Sequence, residues 1–141
     1  CFFHLGMAAL GLSTPGHIAC SVLATVIGHQ PDKRPLGGWT LTDAGWMALS
    51  RDRGDGQHGY GIVCDEAGQP YENWIVAETS QEHGVLALPP GGRTPPPRLA
   101  VGARVRILPN HICATAAQFD RYQVLDGGGE VSAEWPRFRG W

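Results

Sequence analysis

The stretch Val105-Arg106-Ile107-Leu108-Pro109-Asn110-His111-Ile112-Cys113 is the most informative part of this chain. Its first four residues form a hydrophobic run that predicts a β-strand, and the run leads into a histidine and a cysteine two positions apart. Because alternate side chains of an extended segment point to the same face, we expect His111 and Cys113 to converge on one ion. Imidazole and thiolate are good zinc ligands, and two ligands leave the open positions that a catalytic zinc requires.

A His-x-Cys pair is a weak motif by itself. The alternative is a buried cysteine that packs as a small hydrophobe beside a histidine hydrogen-bonded to a turn. No second CxxC or HxxxH completes a ligand set elsewhere in the chain. The choice between the two interpretations therefore depends on the rest of the sequence.

Short apolar and β-branched segments recur along the chain, and twenty Gly and eleven Pro residues separate them. This pattern predicts an all-β barrel or sandwich that occupies residues 1–141 as one domain. One short helix is expected at Ala116–Asp120 with Thr115 as its N-cap. Ala44–Leu49 is expected to be a short helix or an irregular edge, of which the irregular edge is preferred. The predicted strands are 18–27, 39–43, 61–65, 74–78, 84–88, 104–108, 122–125 and 130–135.

Composition excludes several classes of function. A net charge of −2, with no dense patch of Lys and Arg, argues against nucleic-acid binding. The longest apolar run, residues 18–27, is shorter than the roughly 20 residues that a membrane span needs. Four Cys without the spacing of a disulfide framework indicate a reducing, cytoplasmic setting. The single Lys, Lys33, lies in a polar, proline-flanked turn, which is the wrong environment for a Schiff base.

An ordered set of motifs makes the chain resemble a known family. Together they resemble the C-terminal domain of the D-serine dehydratase and D-threonine aldolase family, whose enzymes use pyridoxal phosphate and share the alanine racemase fold type. The resemblance covers essentially the whole chain. Its motifs are Ser21–Ile27, Asp43–Gly54, Gly59–Gly61, Gln81–Gly84, Pro109–Thr115 and Trp135–Trp141.

The resemblance implies a two-domain enzyme of which this chain is the β domain. The cofactor lysine would lie on an N-terminal barrel domain outside the chain, and the intact enzyme is expected to form a homodimer. His111 and Cys113 would bind zinc beside pyridoxal phosphate, and the isolated chain would be inactive. Because the aldolase branch tends to carry His-x-Asp here, Cys113 favours dehydration of D-serine to pyruvate and ammonia. His4 stands where the family is expected to have an acid.

Three further residues are candidates for the site. His83 is expected either to support the active site or to fix a turn, and Tyr60 either to approach the cofactor or to pack. Asp43 is expected either to orient a neighbour or to cap a strand. Two other functions remain open, namely a retro-aldol domain of the D-threonine aldolase type and a free-standing module that binds a metal or a partner. Phe2, Phe3 and Trp46 are expected on an apolar face where the barrel domain docks.

Overall fold

Six strands of the chain close into an antiparallel barrel in the order β1-β2-β5-β4-β3-β6, with β6 pairing back to β1. The computed structural model describes residues 4–33, 37–54 and 58–138. Closure pairs every barrel strand on both sides, so the barrel has no open edge. The predicted all-β barrel is confirmed. Its strands are β1 (Val22–Gln30), β2 (Trp39–Thr42), β3 (Gly61–Cys64), β4 (Pro70–Thr79), β5 (Gly84–Ala87) and β6 (Arg104–Pro109).

The inward-facing residues of these strands form the core. Along β6, Val105 and Ile107 are fully buried inside the barrel, whereas Arg104 and Arg106 alternate with them and point outward. Leu108 lies on the outer face in a second cluster with Leu5 and Cys64. Both faces of the end of β6 are therefore covered, which accounts for its consecutive apolar residues. Other fully buried core side chains are Val26, Val63, Val76 and Leu86, each contributing about 1.5–3 kcal/mol.

Short helices surround one end of the barrel. They are α1 (Leu5–Ala9), α2 (Trp46–Leu49) and α3 (Ile112–Ala116), with a 3₁₀ turn at Pro15–His17. None of the helices is long and apolar enough to cross a membrane, within the part of the chain that the structure describes.

The expected bounds and N-cap of the helix near Thr115 were wrong. That helix begins at Ile112 and ends at Ala116, so residues 117–120 are not helical. Of the two alternatives for Ala44–Leu49, the structure has the short helix, α2, and not the preferred irregular edge. Thr115 is not an N-cap, because its hydroxyl lies inside α3, where it donates to the carbonyl of Leu49 at 2.9 Å. That contact joins α3 to the end of α2.

The last two strands form a separate hairpin. β7 (Arg121–Leu125) and β8 (Val131–Pro136) pair only with each other among the described strands, which confirms the predicted closing hairpin. Val131 and Trp135 are 60% and 54% exposed. The hairpin thus displays apolar side chains outside the barrel core. Phe2 and Phe3 lie outside the described residues, and Trp46 is half-buried with the Arg51 guanidinium over its ring.

Candidate metal site

One end of the barrel carries all the candidate site residues. Neighbouring strands run antiparallel, so the starts of β1, β3 and β5 meet the ends of β2, β4 and β6 at the same end. The segments attached to this end, which we call the helical end, are 4–21, 43–60, 80–83 and 110–117. His4, Asp43, Tyr60, His83, His111 and Cys113 all belong to these segments.

His111 and Cys113 lie where β6 passes into α3. His111 is the N-cap of α3, with an extended backbone at φ −137° and ψ 97°, and Cys113 is inside the helix. The expectation that the segment stays extended through Cys113 was therefore wrong, because the chain turns into a helix at Ile112. The two residues remain neighbours at the start of one short helix, and both side chains reach solvent.

The three described cysteines differ in their accessibility. Cys64 is completely buried, and this burial, together with the charge of Asp65, raises the pKa of its thiol to about 11. Burial also raises the pKa of Cys20. Cys113 is exposed, and all three are free thiols. Within the described residues, Cys113 is therefore the thiol best placed to meet an ion from solvent.

Two side chains hold the imidazole of His111. Its Nδ1 lies 3.2 Å from Oδ2 of Asp52, at a distance where the ring N–H donates to the carboxylate. The ring of His4 stacks on that of His111 with centroids 5.2 Å apart and planes 30° apart. If Nδ1 of a neutral imidazole carries the proton, Nε2 keeps the lone pair that binds a metal. His111 is therefore oriented in the way that metal-binding histidines usually are.

Asn110 connects these residues beneath the surface. Its buried side-chain amide donates to the carbonyl of Asp52 at 3.0 Å and to that of Gly59 at 2.7 Å. The backbone carbonyl of Asn110 accepts from Nδ1 of His4 at 2.7 Å. Gly59 has φ +55°, and a Cβ there would lie 2.1 Å from the carbonyl oxygen of Val76. Only glycine lets the backbone before β3 come this close to Val76. In this position the carbonyl of Gly59 is within reach of the Asn110 amide.

The other candidates make local structural contacts. The backbone N–H of Thr25 donates to Oδ1 of Asp43 at 2.7 Å, so Asp43 ties the segment after β2 to β1. His83 closes a turn with Ser80, whose backbone N–H donates to the carbonyl of His83 at 2.8 Å. Tyr60 packs against the barrel core beneath the guanidinium of Arg53. These contacts correspond to the structural alternative for each residue, and the functional alternatives stay predictions.

The donor set on this chain is small. Among residues 4–33, 37–54 and 58–138, no three His, Cys, Asp or Glu side chains are arranged to hold a metal ion. His111 and Cys113 nevertheless fit a borderline-soft divalent ion, since they offer an oriented nitrogen and an exposed sulfur. An ion held by these two residues would keep open positions for other ligands.

Sequence reasoning missed Asp52 and Asn110 as site residues. Asp52 and Asn110 enter the sequence analysis only as members of the motifs Asp43–Gly54 and Pro109–Thr115. Both residues lie in motifs that resemble the dehydratase family, and this was the one signal in the sequence that could have marked them as site residues. Their contacts span 59 and 58 positions in the chain, so local periodicity could not reveal them.

The chain is similar to a domain family and to several known proteins. A family model described as "Putative serine dehydratase domain" matches residues 19–125. The chain is 47% identical over 99% of its length to D-threo-3-hydroxyaspartate dehydratase of Delftia sp., and 31% identical over its full length to D-serine dehydratase of Saccharomyces cerevisiae. It covers 37% and 33% of these two enzymes, so it spans about a third of their length. It is also 33% identical, over 82% of its length, to an uncharacterised Mycobacterium tuberculosis protein, of which it covers 80%.

Solved structures of the Delftia enzyme extend the comparison. The chain superposes on that enzyme with a TM-score of 0.88 at 46% identity, over 99% of this chain and 37% of the enzyme. Two solved variants of the enzyme replace a histidine and a cysteine, two positions apart, by alanine. The cysteine variant is described as metal-free.

Proposed function

Because the chain belongs to the serine dehydratase domain family, we propose that it is the metal-binding C-terminal domain of a pyridoxal-phosphate lyase that dehydrates D-β-hydroxy amino acids. The observation that carries the proposal is the pair His111 and Cys113 at the helical end, with His111 oriented by Asp52. The Delftia enzyme supports it, because its two alanine variants have the same His-to-Cys spacing and the cysteine variant is metal-free.

The proposed metal is zinc. A zinc ion bound by His111 and Cys113 supplies a Lewis acid for the β-hydroxyl of the substrate, since hydroxide is a poor leaving group. The two residues hold the ion, Asp52 fixes the ring of His111, and the surface position of the pair leaves room for substrate. Elimination of water from a D-β-hydroxy amino acid gives an enamine that tautomerises to an imine. Hydrolysis of the imine takes up one water, releases ammonia and leaves a 2-oxo acid.

The cofactor lysine must come from outside this chain. Lys33, the single lysine in the sequence, is exposed after β1 at the end of the barrel opposite His111, and its ammonium lies over the ring of Trp39. A Schiff-base lysine needs a desolvated pocket, which an exposed turn does not provide. We therefore assign pyridoxal phosphate to an N-terminal barrel domain, in an intact enzyme that forms a homodimer in the cytoplasm. The isolated chain is then inactive.

Three candidate substrates give different products, which distinguish the two dehydratase reactions from the aldolase reaction. The identity of 47% makes D-threo-3-hydroxyaspartate the first substrate to test, and the yeast relative makes D-serine the second. Dehydration yields oxaloacetate from the former and pyruvate from the latter, each with ammonia. A retro-aldol reaction of D-threonine yields glycine and acetaldehyde instead.

The test uses the enzyme with its cofactor domain present. We expect the full-length protein to release a 2-oxo acid and ammonia, the Cys113→Ala variant to lose at least 100-fold in kcat/KM, and the Cys20→Ala control to keep its activity. Glycine and aldehyde as products would establish the aldolase alternative. Full activity of Cys113→Ala, or a stable borohydride-trapped adduct on Lys33 of the isolated chain, would contradict the proposal.

A second candidate function is a free-standing module that binds a metal or a partner. It is favoured by the mycobacterial relative, because the chain covers 80% of that protein and only about a third of the dehydratases. An immunoblot with an antibody against this chain distinguishes the free module from the enzyme domain in cells that produce the protein. A band near 15.1 kDa supports the free module, and a band about three times larger supports the enzyme domain.

A further inference from the structure

Asp52 contacts the proposed ligand His111, although the two residues lie 59 positions apart in the chain. Its Oδ2 accepts from Nδ1 of His111 at 3.2 Å, and its Oδ1 accepts from the backbone N–H of Gly54 at 2.9 Å. The carboxylate is therefore held by one oxygen and presents the other to the imidazole. We propose that Asp52 is a positioning residue that fixes the tautomer and the orientation of His111 for metal binding. The inference rests on the proposed function and deepens it.

The backbone of Asp52 is fixed by the neighbour of His111. The buried amide of Asn110 donates to the carbonyl of Asp52 at 3.0 Å, and Gly54, at φ +57°, lies against the same amide. A Cβ on Gly54 would come within 3.1 Å of the Asn110 side chain. Asp52 is hydrogen-bonded to Asn110, and His111 follows Asn110 in the chain. The buried Asn110 therefore sets the separation of Asp52 and His111.

His4 restrains the ring from a different direction. It stacks on His111 at 5.2 Å, and its Nδ1 donates to the carbonyl of Asn110 at 2.7 Å. Rotation of the His111 ring would break both the stack and the hydrogen bond to Asp52. The ring is thus held on its face and at Nδ1, and Nε2 is left as the metal-binding nitrogen.

A carboxylate on Nδ1 affects a metal-binding histidine in two ways. It selects the tautomer with the lone pair on Nε2, and it raises the basicity of that nitrogen. Loss of such a partner typically costs 10- to 100-fold in metal affinity. The side chains of Asp52 and His111 are 42% and 44% exposed, so solvent screens the charge and we expect the lower half of this range.

The test compares Asp52→Ala and Asp52→Asn with a matched control. Asp65 is suitable for the control, because its Oδ1 accepts from the backbone N–H of Gln69 at 2.8 Å in a turn at the opposite end of the barrel. Asp65→Ala removes the same charge and the same kind of turn contact at a position remote from His111. Circular dichroism establishes folding, and Asp52→Asn keeps the shape of the side chain if Asp52→Ala unfolds.

Two measurements are made on each variant of the 141-residue chain. The first is zinc affinity by competition with a chromophoric chelator. The second is the tautomer of His111 in the metal-free chain, from long-range ¹H–¹⁵N correlation spectra at a pH where the ring is neutral. We expect Asp52→Ala to bind zinc about 10-fold more weakly and to shift His111 toward the tautomer protonated on Nε2. Asp52→Asn loses the charge and should lose part of the zinc affinity, but its amide oxygen can still accept from Nδ1 and keep the tautomer. Asp65→Ala should change neither.

The outcomes separate this inference from the proposed function. If Asp52→Ala and Asp52→Asn keep the parent's zinc affinity and tautomer while His111→Ala and Cys113→Ala lose zinc, Asp52 is not a positioning residue and the metal site stands. If His111→Ala and Cys113→Ala bind zinc as the parent does, the metal site is wrong. An unchanged tautomer in Asp52→Ala, which removes the acceptor, overturns the positioning role in either case.

Discussion

Nδ1 of His111 lies 3.2 Å from Oδ2 of Asp52, although 59 positions separate the two residues in the chain. One residue follows β6 and the other precedes β3, and the pairing of Gly61 with Pro109 brings these two strand ends together. The closed barrel therefore creates the contact, and the contact leaves Nε2 of the imidazole available to an ion.

Asn110 is expected to be essential for the stability of the helical end. Replacement by Ala leaves the buried carbonyl of Gly59 and the partly buried carbonyl of Asp52 without this donor, which should cost about 2–4 kcal/mol. Asn110→Asp keeps the size and removes the donor, so it should destabilise at least as much. Urea unfolding of both variants measures the effect. A loss below about 0.5 kcal/mol in both would show that the amide does not hold the two segments.

Cys64 should make the barrel sensitive to alkali. Burial raises the pKa of its thiol from 9.0 to about 11, so the folded state retains a proton that the unfolded chain releases. The stabilisation is complete below about pH 9 and is lost as the pH rises through about 11. A shift of this size corresponds to at most about 3 kcal/mol.

The check is the free energy of unfolding between pH 8 and 11 for the parent chain, Cys64→Ala and Cys113→Ala. The curve of Cys64→Ala should fall less steeply above pH 9 than that of the parent, and Cys113→Ala, which replaces an exposed thiol, should follow the parent. Parallel curves for all three proteins would show that Cys64 does not contribute.

The β7–β8 hairpin should be the least stable part of the described structure. Its strands pair only with each other, and a two-stranded sheet without a core is marginal in water. Amide protons in Arg121–Leu125 should exchange orders of magnitude faster than those of the fully paired strand Arg104–Pro109.

Because Val131 and Trp135 are exposed, we expect the exchange protection of the hairpin to change in the proposed full-length enzyme. If the hairpin docks on another domain, its amides should become protected in the full-length protein. Equal protection of β7 and β6 in the isolated chain would show that the hairpin needs no partner.

The strand pattern was predictable because it is local. Alternation in Arg104–Leu108 and the β-branched run that contains Val22–Ile27 indicate strands by themselves. The start of α3 was not predictable in this way, because the residue types of Ile112 and Cys113 fit a strand as well as a helix. The hydrogen bond from Thr115 to Leu49 favours the helix, and it forms only when the barrel brings β2 and β6 to the same end.

The metal-binding role of His111 and Cys113 stays a prediction. The sequence singled out His111 and Cys113 from their residue types and order, which reflect the chemistry of zinc ligands. The residues that orient His111 were missed, because Asp52 and His4 reach it only through tertiary contacts. The pair was predicted for the wrong geometrical reason, since the turn into α3 and not an extended strand sets the relation between them.

The most direct test of this account is a zinc titration of the parent chain against His111→Ala and Cys113→Ala, with His29→Ala, at the end of β1 far from His111, and Cys20→Ala as controls. The parent should bind one zinc with modest affinity, release a proton as the thiolate forms, and bind more weakly at acid pH. Each site variant should lose at least 10-fold in affinity, and the controls should match the parent. If His111→Ala and Cys113→Ala bind zinc as tightly as the parent, the metal site lies elsewhere and the proposed role of this domain is wrong.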